Sequence, residues 1–227
     1  MKLTISIALV LTSLWAAFNA IGTRNEVVKK ARNAYTENRF KEAQQLLKAL
    51  TDSLDVDNNT VALNYAHSNF ILAGYSTMRP ADSVLIALDS TQQLEYELCF
   101  EMYMDLTDSD DTEIASIAYN QAGCIAFIKK DIKKPEEGID QSILFFKRAI
   151  EKDNNNKTAR YNYELLKTYK DYPAKLLNQA KQLVRNKRYK QAYNLMQKAG
   201  DKDPRILKNT DFMTRLKSII QIDDLQK

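Results

Sequence analysis

Glycine and proline are scarce in this chain of 227 residues, at five and four, which argues against a fold built largely of turns and suits one mid-sized, mostly helical unit. Histidine occurs once, at His67. A lone histidine inside an apolar segment reads as a packed or capping residue, because nothing accompanies it to make a catalytic set. No glycine-rich phosphate loop, serine elbow or pair of metal ligands at useful spacing occurs anywhere in the chain. The inventory therefore predicts no enzyme, no cofactor and no metal. The acidic run Thr107–Thr112 (TDSDDT) lacks the glycine and terminal glutamate of a calcium-binding loop and reads instead as a helix-capping turn.

Cysteine is limited to Cys99 and Cys124. Placed on antiparallel helices either side of the turn at 107–112, they admit two readings, a disulfide or two buried thiols. A redox-active dithiol is the one enzymatic alternative. It would require one of them to be exposed with a depressed pKa.

What the chain does have is 44% hydrophobic and 27% charged residues, enough for a substantial core. Net charge is +4 but unevenly spread. Residues 25–156 carry 22 acidic and 14 basic side chains, whereas 157–227 carry 7 and 17. The basic stretch with Lys181, Arg185, Lys187, Arg188 and Lys190 reads either as a solvated helix face or as a surface for an acidic partner or an anionic membrane.

The N-terminus stands apart. Leu3–Gly22 contains no charged residue, follows Lys2 and precedes Arg24. Residues 1–24 are expected to be a signal peptide or an N-terminal membrane anchor. Phe18 spoils the small-residue cleavage pattern, and the downstream cluster Arg24, Lys29, Lys30 and Arg32 disfavours an N-terminus-inside orientation. No cysteine follows the apolar run, so a lipoprotein anchor is excluded. The expected location is therefore exported, either periplasmic or anchored in the membrane and facing the periplasm. Export disfavours nucleic acid as a partner.

The rest of the sequence repeats itself. Residues 31–50 place Ala31, Ala34 and Tyr35 on one helical face, then Phe40, Ala43, Leu47 and Leu50 on another, with a tight turn between. Residues 180–204 repeat the arrangement with Ala180, Leu183 and Val184, then Tyr189, Ala192, Met196, Ala199 and Pro204. A third, longer copy joins residues 118–127 to 142–167 across KKDIKKPEEGID, an insertion near 129–140 read as an extended first helix or a protruding loop. Residues 61–106 read as a degenerate copy with a break near Asp89–Thr91, and the Asn-rich runs at 55–60 and 152–158 as N-caps and left-handed turns.

This pattern resembles the tetratricopeptide repeat, in which alanines let helices approach and an aromatic fills the wedge beside each turn. It implies an all-α, right-handed superhelical stack of three to four helical hairpins, with an array over 25–172, a C-terminal hairpin over 173–227 and a capping helix at 206–222. Residues 118–167, with AYNQAG and ARYNYEL, are further similar to the tetratricopeptide members of the Bacteroides aerotolerance family. That resemblance implies a non-catalytic envelope scaffold for partner proteins or peptides, acting in an aerotolerance-type stress complex. An adaptor in envelope assembly or secretion would use the same scaffold. First helices line the concave face of such arrays, so Asn64, Asn120, Asn162 and Asn178, with Lys157 and Arg160, are the expected partner-binding residues. Amides there either meet a partner's backbone or hydrogen-bond between neighbouring helices, and the two cations either accept a carboxylate or are solvated. Tyr119, Tyr161, Tyr163, Tyr169 and Tyr172 are open to the same choice between anchor and core.

Overall fold

The computed structural model describes residues 22–52, 58–74, 88–129 and 135–225. The expected leader over 1–24 falls almost wholly outside them, as do 55–57 of the first Asn-rich run, 75–87 of the degenerate copy and 130–134 of the insertion. The chain is all-α. Among the described residues there are nine α-helices and no strand: α1 (22–36), α2 (Phe40–Asp52), α3 (Asn59–Leu72), α4 (Ser90–Asp105), α5 (Thr112–Ile128), α6 (Pro135–Lys152), α7 (Lys157–Arg185), α8 (Tyr189–Gly200) and α9 (Thr210–Leu225). None of them is long and apolar enough to cross a membrane.

Helix ends sit where side chains can serve the orphan backbone groups. Asn58 accepts from the N–H groups of Thr60 and Val61 at the start of α3, and Asp111 does the same for Glu113 and Ile114 at the start of α5. Asp89 and Gln92 form a reciprocal capping box on α4. Asn156 accepts from Ala159 N–H at the start of α7. The Asn-rich and Asp-rich runs thus supply caps, as expected. Among the described residues other than glycine, left-handed backbone falls elsewhere, at Asn38 (φ 60°) and Lys187 (φ 58°).

Those two positions mark the internal repeat. Around Asn38, Arg39 N–H donates to Ala34 O at 2.8 Å and Asn38 N–H to Tyr35 O at 3.1 Å. Around Lys187, Arg188 N–H donates to Leu183 O at 2.9 Å and Lys187 N–H to Val184 O at 2.9 Å. The same left-handed C-terminal motif closes the helix both times. Behind each turn the same small residue is buried, Ala43 in one and Ala192 in the other.

Two compact units meet in sequence between Glu164 and Leu165, within α7. In the first, helices adjacent in sequence pack side by side from α2 through α6. Its first hairpin buries Ala31, Ala34, Ala43, Leu47 and Leu50 together with Val61 of α3, with Tyr35 and Phe40 edge to face across the turn at 5.4 Å. Phe70 of α3 meets Tyr96 and Tyr103 of α4 at 5.9 and 6.0 Å, and Phe100 of α4 meets Phe145 of α6 at 5.7 Å. Helices α5 and α6 pack extensively against each other, and Ser116 Oγ of α5 donates to Ala149 O of α6 at 2.7 Å.

The insertion near 129–140 is in part helical, since α6 begins at Pro135 and takes in Glu136–Asp140. Proline is well suited to a first helical turn, Glu136 and Glu137 suit the helix N-terminus, and Ile139 anchors that turn in the core. It is the second helix of the hairpin that is extended, not the first.

The second unit packs Leu176, Ala180, Ala192, Met196, Ala199, Ile206 and Leu216 from α7, α8, a 3-10 turn at Pro204–Lys208 and α9. The C-terminal helix expected over 206–222 is displaced to Thr210–Leu225. Asp203 caps the 3-10 turn by accepting from Arg205 N–H, so a separate short element precedes α9.

Candidate partner-binding groove

Helices α1 and α3 stand on either side of a trough of about 920 Å³ in the first unit. Arg24, Val28, Arg32 and Thr36 of α1 line one wall, at the four-residue spacing that keeps side chains on one helix face. Asn58, Thr60 and Asn64 line the other, and Leu47, Leu50 and Val61 contribute apolar lining. Val28 is 41% exposed despite its apolar side chain. The lining contains two arginines and no carboxylate. The neighbouring cation Lys30 pairs with Glu26 at 2.7 Å, which leaves Arg24 and Arg32 as the charges of the trough.

Of the residues expected to meet a partner, Asn64 lines this trough. Asn120 of α5 and Asn162 of α7 are buried, and Asn162 Nδ2 donates to Asn120 Oδ1 at 3.0 Å and lies 3.8 Å from Cys124 Sγ. Their amides link neighbouring first helices, one of the two roles open to them from sequence. Lys157 is exposed, and Arg160 turns back so that Nε and an Nη donate to Asn154 O at 2.9 and 2.6 Å. Asn178 is exposed in the second unit. The six do not form one cluster.

No family model matches the chain, and no curated protein matches it.

Reading the sequence missed Arg24, Asn25, Val28, Arg32 and Tyr35. The signal was available in the four-residue spacing of 24, 28 and 32, which runs along the helix beside Ala31. It was obscured because Arg24 and Arg32 also read as flanking charges of the apolar leader.

Cys99 of α4 and Cys124 of α5 are buried thiols. Burial, with Glu95 nearby, pushes the Cys99 thiol up to about 11, the opposite of what a nucleophilic thiolate needs. His67 Nδ1 lies 2.7 Å from Tyr103 Oη, and loss of hydration lowers its pKa to about 4. The imidazole is therefore neutral at pH 7. The tyrosines divide: Tyr161 is 64% exposed and Tyr172 43%, whereas Tyr119, Tyr163 and Tyr169 are half-buried. Lys181, Arg185, Lys187, Arg188 and Lys190 are all exposed in the second unit. Among the described residues no group of three or more His, Cys, Asp or Glu could hold a metal ion.

Proposed function

We propose that the chain is a non-catalytic scaffold of the cell envelope, similar in kind to tetratricopeptide proteins, that holds partner proteins or peptides in the trough between α1 and α3. The observation that carries this reading is the trough itself, an open cleft of about 920 Å³ with apolar residues among its lining and polar groups on both walls. Two further features support it. The turn at Asn38 and the turn at Lys187 repeat one backbone motif, as hairpin arrays require. The apolar, leader-like run that precedes Arg24, retained as an anchor or cleaved ahead of that residue, supports export, and with it a place in an aerotolerance-type envelope complex.

The test is site-specific photocrosslinking in the envelope of intact cells, with the reactive group placed at Val28 or Asn64 and, for contrast, at Leu144 of α6. Leu144 is exposed but lies away from the trough. The reading expects adducts with discrete partners from Val28 and Asn64 that are absent from Leu144. Adducts from Leu144 alone, or from none of the three positions, would remove the trough as the binding face.

A further inference from the structure

The trough has a charge pattern as well as a shape. Arg24 and Arg32 flank Val28 along α1, and neither arginine makes an ion pair among the described residues. Eight residues of helix at 1.5 Å each separate the backbone positions of the two arginines by about 12 Å along the axis. The side-chain amides of Asn25 and Asn64, which also line the trough, make no hydrogen bond among the described residues. Each amide offers one donor and one acceptor group.

These features select the partner's conformation. A helical ligand satisfies its own backbone and would leave the two amides nothing to bond except side chains. An extended segment presents free N–H and C=O groups, which suit Asn25 and Asn64. In an extended segment alternate side chains point the same way at about 3.3 Å per residue, so positions 1, 3 and 5 share a face about 13 Å long. That length matches the spacing of Arg24 and Arg32. Resting on the proposed function of the trough, we infer that the occupant is an extended partner segment of the pattern acidic, any, apolar, any, acidic. Its two carboxylates meet Arg24 and Arg32, and its central apolar side chain covers Val28.

The pattern is tested with a fluorescein-labelled nonapeptide carrying Asp-Ser-Leu-Ser-Asp at its centre, titrated with the whole chain and followed by anisotropy. Two controls have the same length, one with both aspartates adjacent and one with lysines in their place. The inference expects the alternating acidic peptide to bind at least tenfold tighter than either control. It expects the Arg24→Glu, Arg32→Glu double variant to lose about tenfold for the acidic peptide and to gain affinity for the lysine peptide. That gain also certifies that the variant is folded. Equal binding of the acidic and lysine peptides, or unchanged acidic-peptide binding by the double variant, would overturn the inference. Photocrosslinks from Val28 without preference for the acidic peptide would overturn the charge pattern while the trough stays a partner site. Neither crosslinks nor binding would overturn both.

Discussion

Arg205 donates from an Nη to the carbonyl oxygen of Tyr169 at 3.0 Å. That carbonyl lies four residues before Pro173, which sits inside α7 and has no N–H to return to it. Arg205 therefore supplies the hydrogen bond that the proline removes. The guanidinium also lies 3.7 Å above the Tyr169 ring and is held by both carboxylate oxygens of Asp203, at 2.6 to 3.2 Å, with both side chains buried. One side chain thus ties the 3-10 turn to the long helix in the second unit.

Arg205→Ala is expected to destabilise that unit by about 3–5 kcal/mol, because it strands the Asp203 carboxylate in a buried site and removes the bond from the guanidinium to the Tyr169 carbonyl. Arg205→Lys should recover only part of this, since an ammonium cannot stack and fork as the guanidinium does. Pro173→Ala restores an N–H to the helix, so the cost of Arg205→Ala should be smaller in a Pro173→Ala background. Urea unfolding of the four proteins in that cycle measures the coupling. Additive effects would show that the carbonyl contact contributes nothing.

Gly123 is expected to resist replacement by alanine. A β-carbon there would sit 2.6 Å from Cε1 of the fully buried Phe146 ring. Helix propensity alone favours alanine by about 1 kcal/mol, whereas overpacking a core costs about 1–3 kcal/mol. Steric conflict should win, so Gly123→Ala lowers stability, and Phe146→Leu added to it recovers part of the loss. Thermal unfolding decides the sign, and a stabilised Gly123→Ala protein would mean that α5 and α6 can separate without cost.

Asn162→Ala removes the donor to Asn120 and leaves a buried amide oxygen unmet, at a cost of about 1–3 kcal/mol. Replacing both asparagines by leucine should cost less than that single change, because no unpaired polar group remains. Partner crosslinking from Val28 should survive in the folded double variant. Loss of crosslinking at undiminished stability would return these amides to the binding surface.

The legible part of the fold was local. The hairpin turns at Asn38 and Lys187 could be read because Ala43 and Ala192, with Phe40 and Tyr189 three residues earlier, recur in register, and the caps at Asn58, Asp111 and Asn156 because capping acts over two or three residues. The start of α6 at Pro135 was missed because charged residues around 129–140 resemble a loop until Ile139 is seen to be buried. Periodicity placed Asn120 and Asn162 on first helices correctly, but which neighbour an amide faces depends on packing of α5 against α7. The contact of Arg205 with Tyr169 joins residues far apart in sequence and left no local trace.

His67 gives the protein a pH dependence whose direction follows from its environment. Desolvation lowers its pKa from 6.5 to about 4 in the folded chain, where its Nδ1 is hydrogen-bonded to Tyr103 Oη. The unfolded chain therefore binds a proton that the folded chain refuses between about pH 6.5 and pH 4. Stability from this residue is complete above pH 6.5 and is lost as the pH falls toward 4, by no more than about 3 kcal/mol in all. Denaturant midpoints at pH 7.5, 5.5 and 4.5 should fall in that order, and the part of the slope due to His67 should vanish in His67→Gln. Because the chain has a single histidine, its imidazole resonances can be followed directly by NMR. A folded-state titration midpoint at or above 6.5 would show that the ring is hydrated and that acid sensitivity, if present, comes from the carboxylates.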